Sequence, residues 1–262
     1  MNDAITQSSA RSYLANKVPE VTLIFWLIKM MSTTVGETGA DLLTFKLHWG
    51  LVNTTIVLGV LFLSVLYKQM QANRYIPWLY WLTVVLVSVF GTLITDNLTD
   101  KMHVPLALST GVFGGLLILT FWFWYNSENT LSIREIDTFR REAFYWGAVL
   151  TTFALGTAAG DWVSEELRLG YAVSAIWFGG AIAAVAVAHY FFRLSSVTSF
   201  WIAYVLTRPL GASCGDLMAK SAKHGGLGLG TVPTNIIFLG VIVALIVYLT
   251  RVQSRELNTV TP

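Results

Sequence analysis

Four aspartates recur at a fixed distance from a tryptophan and a glycine: Trp26/Gly36/Asp41, Trp81/Gly91/Asp96, Trp146/Gly156/Asp161 and Trp201/Gly211/Asp216. Carboxylates gathered in one place attract or hold a cation, as acidic rings do along cation pathways. Each one closes an apolar stretch, in turn GETGAD, GTLITD, GTAAGD and GASCGD. If those stretches are helices, a carboxylate at the C-terminal end opposes the macrodipole, which favours cations there. A cation, a lysine or hydrogen bonds must then compensate. The alternative gives each Asp a structural task, capping a tight turn between helices. Glu37, four residues before Asp41, has no acidic counterpart in the other copies and joins the candidate cation-binding set.

Two basic residues break the fourfold pattern. Lys29 and Arg208 lie inside the apolar stretches LIFWLIKMMSTT and AYVLTRPLGAS. The other copies carry Val84, Val149 and Tyr204 at the first position, and Thr33, Ser88 and Phe153 at the second. An unpaired charge at membrane depth is costly, so each needs a carboxylate or water. Lys29, Glu37 and Arg208 are expected to form an internal charge network that gates or couples, with Asp41 and Asp161 as further partners. Snorkelling is the alternative for Lys29. Pro209 deletes a helical hydrogen bond, which predicts a kinked or broken helix before GASCGD.

Other recurring columns carry weaker signals. Thr54, Ser109, Ser174 and Thr234 each stand four residues after Gly50, Pro105, Gly170 or Gly230 and form a hydroxyl column. His48 and His103 precede Gly50 and Pro105 by two residues, and with Asp41 and Asp96 they make a candidate transition-metal set. Solvated boundary histidines are the plain alternative. The tryptophans read as interfacial anchors, with an aromatic cage for an organic cation as the other option. Small residues in STTVGETGAD, LTTFALGTAAGD and TRPLGASCGD allow close helix approach. There is no HExxH, no P-loop and no complete dinucleotide fingerprint, since Thr231 stands where GGLGLG needs its third glycine. Neither an enzyme nor a cofactor is expected. Cys214 is the single cysteine, which excludes an intramolecular disulfide and a cysteine-cluster metal site.

The elements that must position these residues follow from composition. Of 262 residues, 55% are hydrophobic and 12% charged, against about 25% charged in ordinary soluble domains. Mean hydropathy is +0.61. Long apolar runs predict membrane-spanning helices near 20–40, 47–69, 75–97, 104–125, 140–162, 169–191, 196–217 and 232–251. The expected fold is therefore all-α: a polytopic membrane protein with eight transmembrane helices from four parallel two-helix repeats. Four copies in one orientation can close with pseudo-fourfold symmetry or form two pseudo-symmetric halves. Repeats 1 and 2 occupy 20–126 and repeats 3 and 4 occupy 140–252, with tails at 1–19 and 253–262. The connection 127–139 offers Ser132 and Glu135 as an N-cap pair. MAKSAKHGGLGLGTVPT reads as a slack linker rather than a flap.

Orientation follows from basic residues. Arg11, Lys17, Lys68, Arg74, Arg134, Arg140, Arg141, Arg193, Arg251 and Arg255 fall on one side, against Lys46, Lys101, Arg168, Lys220 and Lys223 on the other. Both termini are expected in the cytoplasm and the four aspartates outside. The net charge of +2 points to no nucleic-acid partner; the expected partners are the lipid bilayer and a small cation or metal ion.

The stretches KVPEVTLIFWLIKMMSTTVGETGADLL and FWIAYVLTRPLGASCGDLMAK give the chain its resemblance to a family. Over residues 17 to 252 it resembles bacterial integral membrane proteins of four tandem two-helix, tryptophan-bearing repeats of unknown function. The resemblance implies eight helices in the bacterial inner membrane and no established activity. The residues themselves favour a transporter or channel-like carrier for a cation, a divalent metal among the candidates, with proton coupling as an option. A non-transporting sensor or scaffold is the alternative, and an exporter of aromatic or organic cations a weaker one.

Overall fold

The structure is a computed structural model describing residues 16–260. Most of the expected N-terminal tail, residues 1–15, lies outside the described residues, as do 261–262. The apolar runs fold as eight long helices, each begun where the sequence offers a start signal. The side chains of Thr22, Thr138 and Ser195 accept the capping bond at three of them, and Pro77 opens a fourth at its first turn. They are α1 (Leu23–Asp41), α2 (Leu51–Gln71), α3 (Pro77–Asp96), α4 (Leu106–Glu128), α5 (Phe139–Asp161), α6 (Tyr171–Phe192), α7 (Ser196–Ala219) and α8 (Thr231–Val260). Ser132 caps only a short 3-10 turn, Ile133–Glu135, and Thr138 begins α5 instead. Helix α8 runs on to Val260, through most of the segment expected as a tail.

The eight helices form two concentric layers. The first helices of the repeats (α1, α3, α5 and α7) close a ring in which each touches two neighbours. The second helices (α2, α4, α6 and α8) stand outside it. Each outer helix packs on the inner helix of the following repeat: α2 on α3, α4 on α5, α6 on α7, and α8 back on α1. The chain therefore closes on itself with pseudo-fourfold order. Five helices (α2, α3, α4, α6 and α8) are long and apolar enough to cross a membrane. The outer four bury only 11–22% of their most apolar window, so the molecule presents an almost continuous apolar shell.

Two columns of the repeat explain the closure. The repeat glycines are sockets. Gly36 receives Ser88, Gly91 receives Phe153, Gly156 receives Arg208, and Gly211 receives Thr33. A methyl group on Gly91 would lie 2.6 Å from Cβ of Phe153, so no side chain fits there. The donors of these knobs occupy one position, three residues before each glycine, on the neighbouring inner helix.

The tryptophans are the second device, and here the expectation of lipid anchoring is corrected. Trp81, Trp146 and Trp201 are buried and Trp26 is half-buried. Each packs on the aromatic residue preceding the tryptophan of the previous repeat. Trp81 meets Phe25 at 5.5 Å between ring centroids, Trp146 meets Tyr80 at 5.6 Å, Trp201 meets Tyr145 at 6.1 Å, and Trp26 meets Phe200 at 5.7 Å. Pairs of this kind contribute about 0.5–1.5 kcal/mol each beyond burial. The column is an inter-helix clasp and not a headgroup belt. The exposed indoles are others, among them Trp49, Trp78, Trp122 and Trp177.

Two further expectations change. Helix α7 runs unbroken through Pro209, whose ring lies against Gly156 and Gly160 of α5. Packing on the two glycines holds the helix across the missing hydrogen bond. The glycine-rich stretch after α7 is no slack linker. Leu227, Gly228 and Leu229 donate backbone hydrogen bonds to the carbonyls of Leu217, Lys220 and Met218, folding the loop back on the helix end.

Candidate functional site

The ring places all four repeat aspartates around one opening. After Asp41, Asp96 and Asp161 the helix does not stop but widens into a π turn: Leu42–Lys46, Asn97–Lys101 and Trp162–Glu166. That extra turn engages the carbonyls an ending helix leaves orphaned. None of these three aspartates makes a side-chain capping bond, and Asp216 sits inside α7 rather than at its end. Their carboxylates are left free to face the ring.

They line a pocket of about 160 Å³ together with Glu37, Phe45, Asp100, Glu165 and Lys220. Repeat spacing orders these residues into tiers. The aspartates stand five residues after each repeat glycine; Phe45, Asp100, Glu165 and Lys220 stand nine after it; Glu37 stands one after it. Ligand oxygens of Glu37, Asp161 and Asp216 lie within 4.8 Å of one another, a spacing that admits one metal ion among them. Asp216 is buried, and its Oδ1 has no hydrogen-bond partner. Lys220 answers part of this charge, its Nζ lying 3.2 Å from Asp41 Oδ2 and 3.6 Å from Asp216 Oδ1. Burial pulls the Lys220 pKa down, but the carboxylates of Asp216, Asp41 and Glu37 more than offset this and hold it above the ordinary lysine value. Lys220 stays a cation.

Behind the pocket the ring interior is shut by stacked layers. Arg208, fully buried, donates from Nη2 to Glu37 Oε2 at 3.0 Å, to Thr157 Oγ1 at 2.6 Å and to Thr92 Oγ1. Glu37, Thr92 and Thr157 occupy the same repeat position on three inner helices, where the fourth has Ala212. One guanidinium thus ties three helices across the ring. The Arg208–Glu37 pairing anticipated from sequence is present. Lys29 is separate from it: its Nζ has no hydrogen-bond partner and sits 4.2 Å from the ring centroids of both Phe153 and Tyr204. Two aromatic faces stand where a carboxylate was expected. Deeper still, the hydroxyls of Tyr80 and Tyr145 share a 2.5 Å hydrogen bond between the neighbouring helices α3 and α5.

The end opposite the pocket is latched by a second buried pair. Lys17 donates to Glu142 Oε2 at 2.7 Å and to the Met70 carbonyl at 3.0 Å. Gln69 and Trp146 donate to the other Glu142 oxygen.

Several sequence candidates stand away from the pocket. The hydroxyl column is fully buried where the outer helices begin, with Thr54 and Thr234 bonded to the carbonyls of Gly50 and Gly230. His48 and His103 are exposed, and neither lines the pocket. Both have φ of 56°, the left-handed step that follows the π turn, which Arg168 (58°) takes in the third repeat. Their shared position reflects that turn. Asp100, Glu165, Lys220, Thr92 and Thr157 are site residues absent from the sequence candidates. Their signal was present as further columns at fixed distances from the repeat glycine.

A sequence model described as Repeat of Unknown Function (DUF347) matches the chain four times, over residues 24–75, 79–130, 144–195 and 199–255. No curated protein and no solved structure matches it.

Proposed function

The chain belongs to this repeat family, and from the pocket its four copies build we propose that it is a membrane carrier for a cation, a divalent metal fitting the acids best. We read all eight helices as crossing the bilayer of a bacterial inner membrane, with both termini cytoplasmic. Helices α1, α5 and α7 close one ring with α3, and many of their polar residues, among them Lys29, Glu37, Thr152, Thr157, Arg208 and Ser213, are buried within the protein. One observation carries the reading. The Glu37 carboxylate is shared between the acidic trio and Arg208, the residue that ties the inner helices together.

A cation captured by Asp161 and Asp216 competes with Arg208 for Glu37. Loss of that bond frees the guanidinium and loosens the ring beneath the pocket, coupling occupancy to opening. Seven carboxylates (Glu37, Asp41, Asp96, Asp100, Asp161, Glu165 and Asp216) face one lysine at the mouth, which concentrates cations there.

The closed layers at Arg208, Lys29 and the tyrosines favour a second reading, a cation sensor that binds without transport. Mn2+ flux into liposomes holding the purified protein separates the two. A carrier shows protein-dependent uptake that Asp41→Asn with Asp161→Asn abolishes. Binding with no flux in the wild type supports the sensor, and flux unchanged in the double variant removes the acids from the mechanism.

A further inference from the structure

The pocket rim is one column of the repeat, nine residues after each glycine, and only its fourth member is basic: Phe45, Asp100, Glu165 and Lys220. The fourth repeat also departs from the others in its backbone. In place of a π turn, α7 continues to Ala219, and the chain becomes extended at Lys220. The glycine-rich loop then returns to the helix end through Leu227, Gly228 and Leu229. Gly226 packs so closely on the Lys220 backbone that a methyl group there would collide with the Lys220 carbonyl. The loop therefore fixes where the lysine starts, and the amine falls between Asp41 and Asp216.

A cluster of acids alone says little about a ligand. Here Asp216, 3% exposed, keeps an oxygen without a hydrogen-bond partner, and its ligand atom lies within 4.8 Å of those of Glu37 and Asp161. A buried carboxylate oxygen without a donor is open to a ligand that brings positive charge. The Lys220 amine approaches that oxygen only to 3.6 Å and bonds Asp41 more closely, with its side chain still 35% exposed. It offsets part of the charge without filling the site.

We propose that Lys220 is a tethered counter-ion, one that an incoming divalent cation must displace from Asp41 and Asp216. The inference rests on the cation-binding reading above and adds how the site is regulated. An amine anchored beside the acids competes at a high effective concentration. It lowers the affinity for the free ion, and a carrier needs binding weak enough to release its cargo. When the ion leaves, the amine returns, so the acids never face one another uncompensated.

The test is a Mn2+ titration of the full-length protein in detergent, following the electron paramagnetic resonance signal of free Mn2+. Lys220→Gln binds Mn2+ about two- to fivefold more tightly than the wild type, the range open to a part-exposed ion pair. Lys220→Arg keeps the wild-type affinity. Gly226→Ala, which retains the charge but shifts its anchor, gives an intermediate gain. Unchanged or weaker binding in Lys220→Gln overturns the tethered counter-ion and leaves the site standing. Absence of Mn2+ binding in the wild type and in all three variants overturns the site as well.

Discussion

Asp161→Asn combined with Asp216→Asn is expected to weaken Mn2+ binding by about 100-fold or more. Each charge-assisted contact contributes roughly 1.5–3 kcal/mol, and two are lost at once, with tenfold in affinity for each 1.4 kcal/mol. Equilibrium dialysis of the detergent-purified protein measures it. The same variant is expected to melt at or above the wild-type temperature in metal-free buffer. Asn preserves shape, and removing two charges from a cluster of like charges relieves repulsion. A fall in both affinity and melting temperature would mean that the acids hold the fold together. A fall in affinity alone assigns them to the cation.

Glu37→Leu should have the largest effect on stability. It leaves Arg208, fully buried, with threonine hydroxyls but no counter-charge. Removing one partner of a buried ion pair costs about 3–5 kcal/mol. Leucine substituted for both Glu37 and Arg208 should recover most of that loss, because the desolvation cost of both charges disappears together. Thermal unfolding followed by circular dichroism reads both variants. If Glu37→Leu unfolds like the wild type, the guanidinium is not a tie across the ring. If the double variant is the less stable of the two, the pair contributes more than charge compensation.

The architecture was legible because the repeat is strict. Four copies of Trp, Gly and Asp in one register give eight helices in a common orientation, and identical units pack most simply around an axis. The convergence of Asp41, Asp96, Asp161 and Asp216 follows from that closure. The use of each tryptophan was not legible. Trp81 looks the same in sequence whether it faces headgroups or the preceding Phe25, and only the ring of inner helices decides. Pro209 misled for a similar reason: the deleted hydrogen bond is local, whereas the glycines that steady the helix lie on α5. Lys29 was expected to seek a carboxylate, but the aromatic faces of Phe153 and Tyr204 come from two other repeats. The segment around Lys220 hid its role because glycine content describes freedom in the unfolded chain. It says nothing of the backbone bonds that pin the loop.

The most direct measurement is anomalous scattering from crystals of the wild-type protein soaked in Mn2+. The account predicts one strong peak inside the ring, within coordination distance of Glu37, Asp161 and Asp216, with the Lys220 amine withdrawn. Peaks confined to the exposed histidines His48 and His103, or an acidic pocket free of metal at saturating Mn2+, would contradict it.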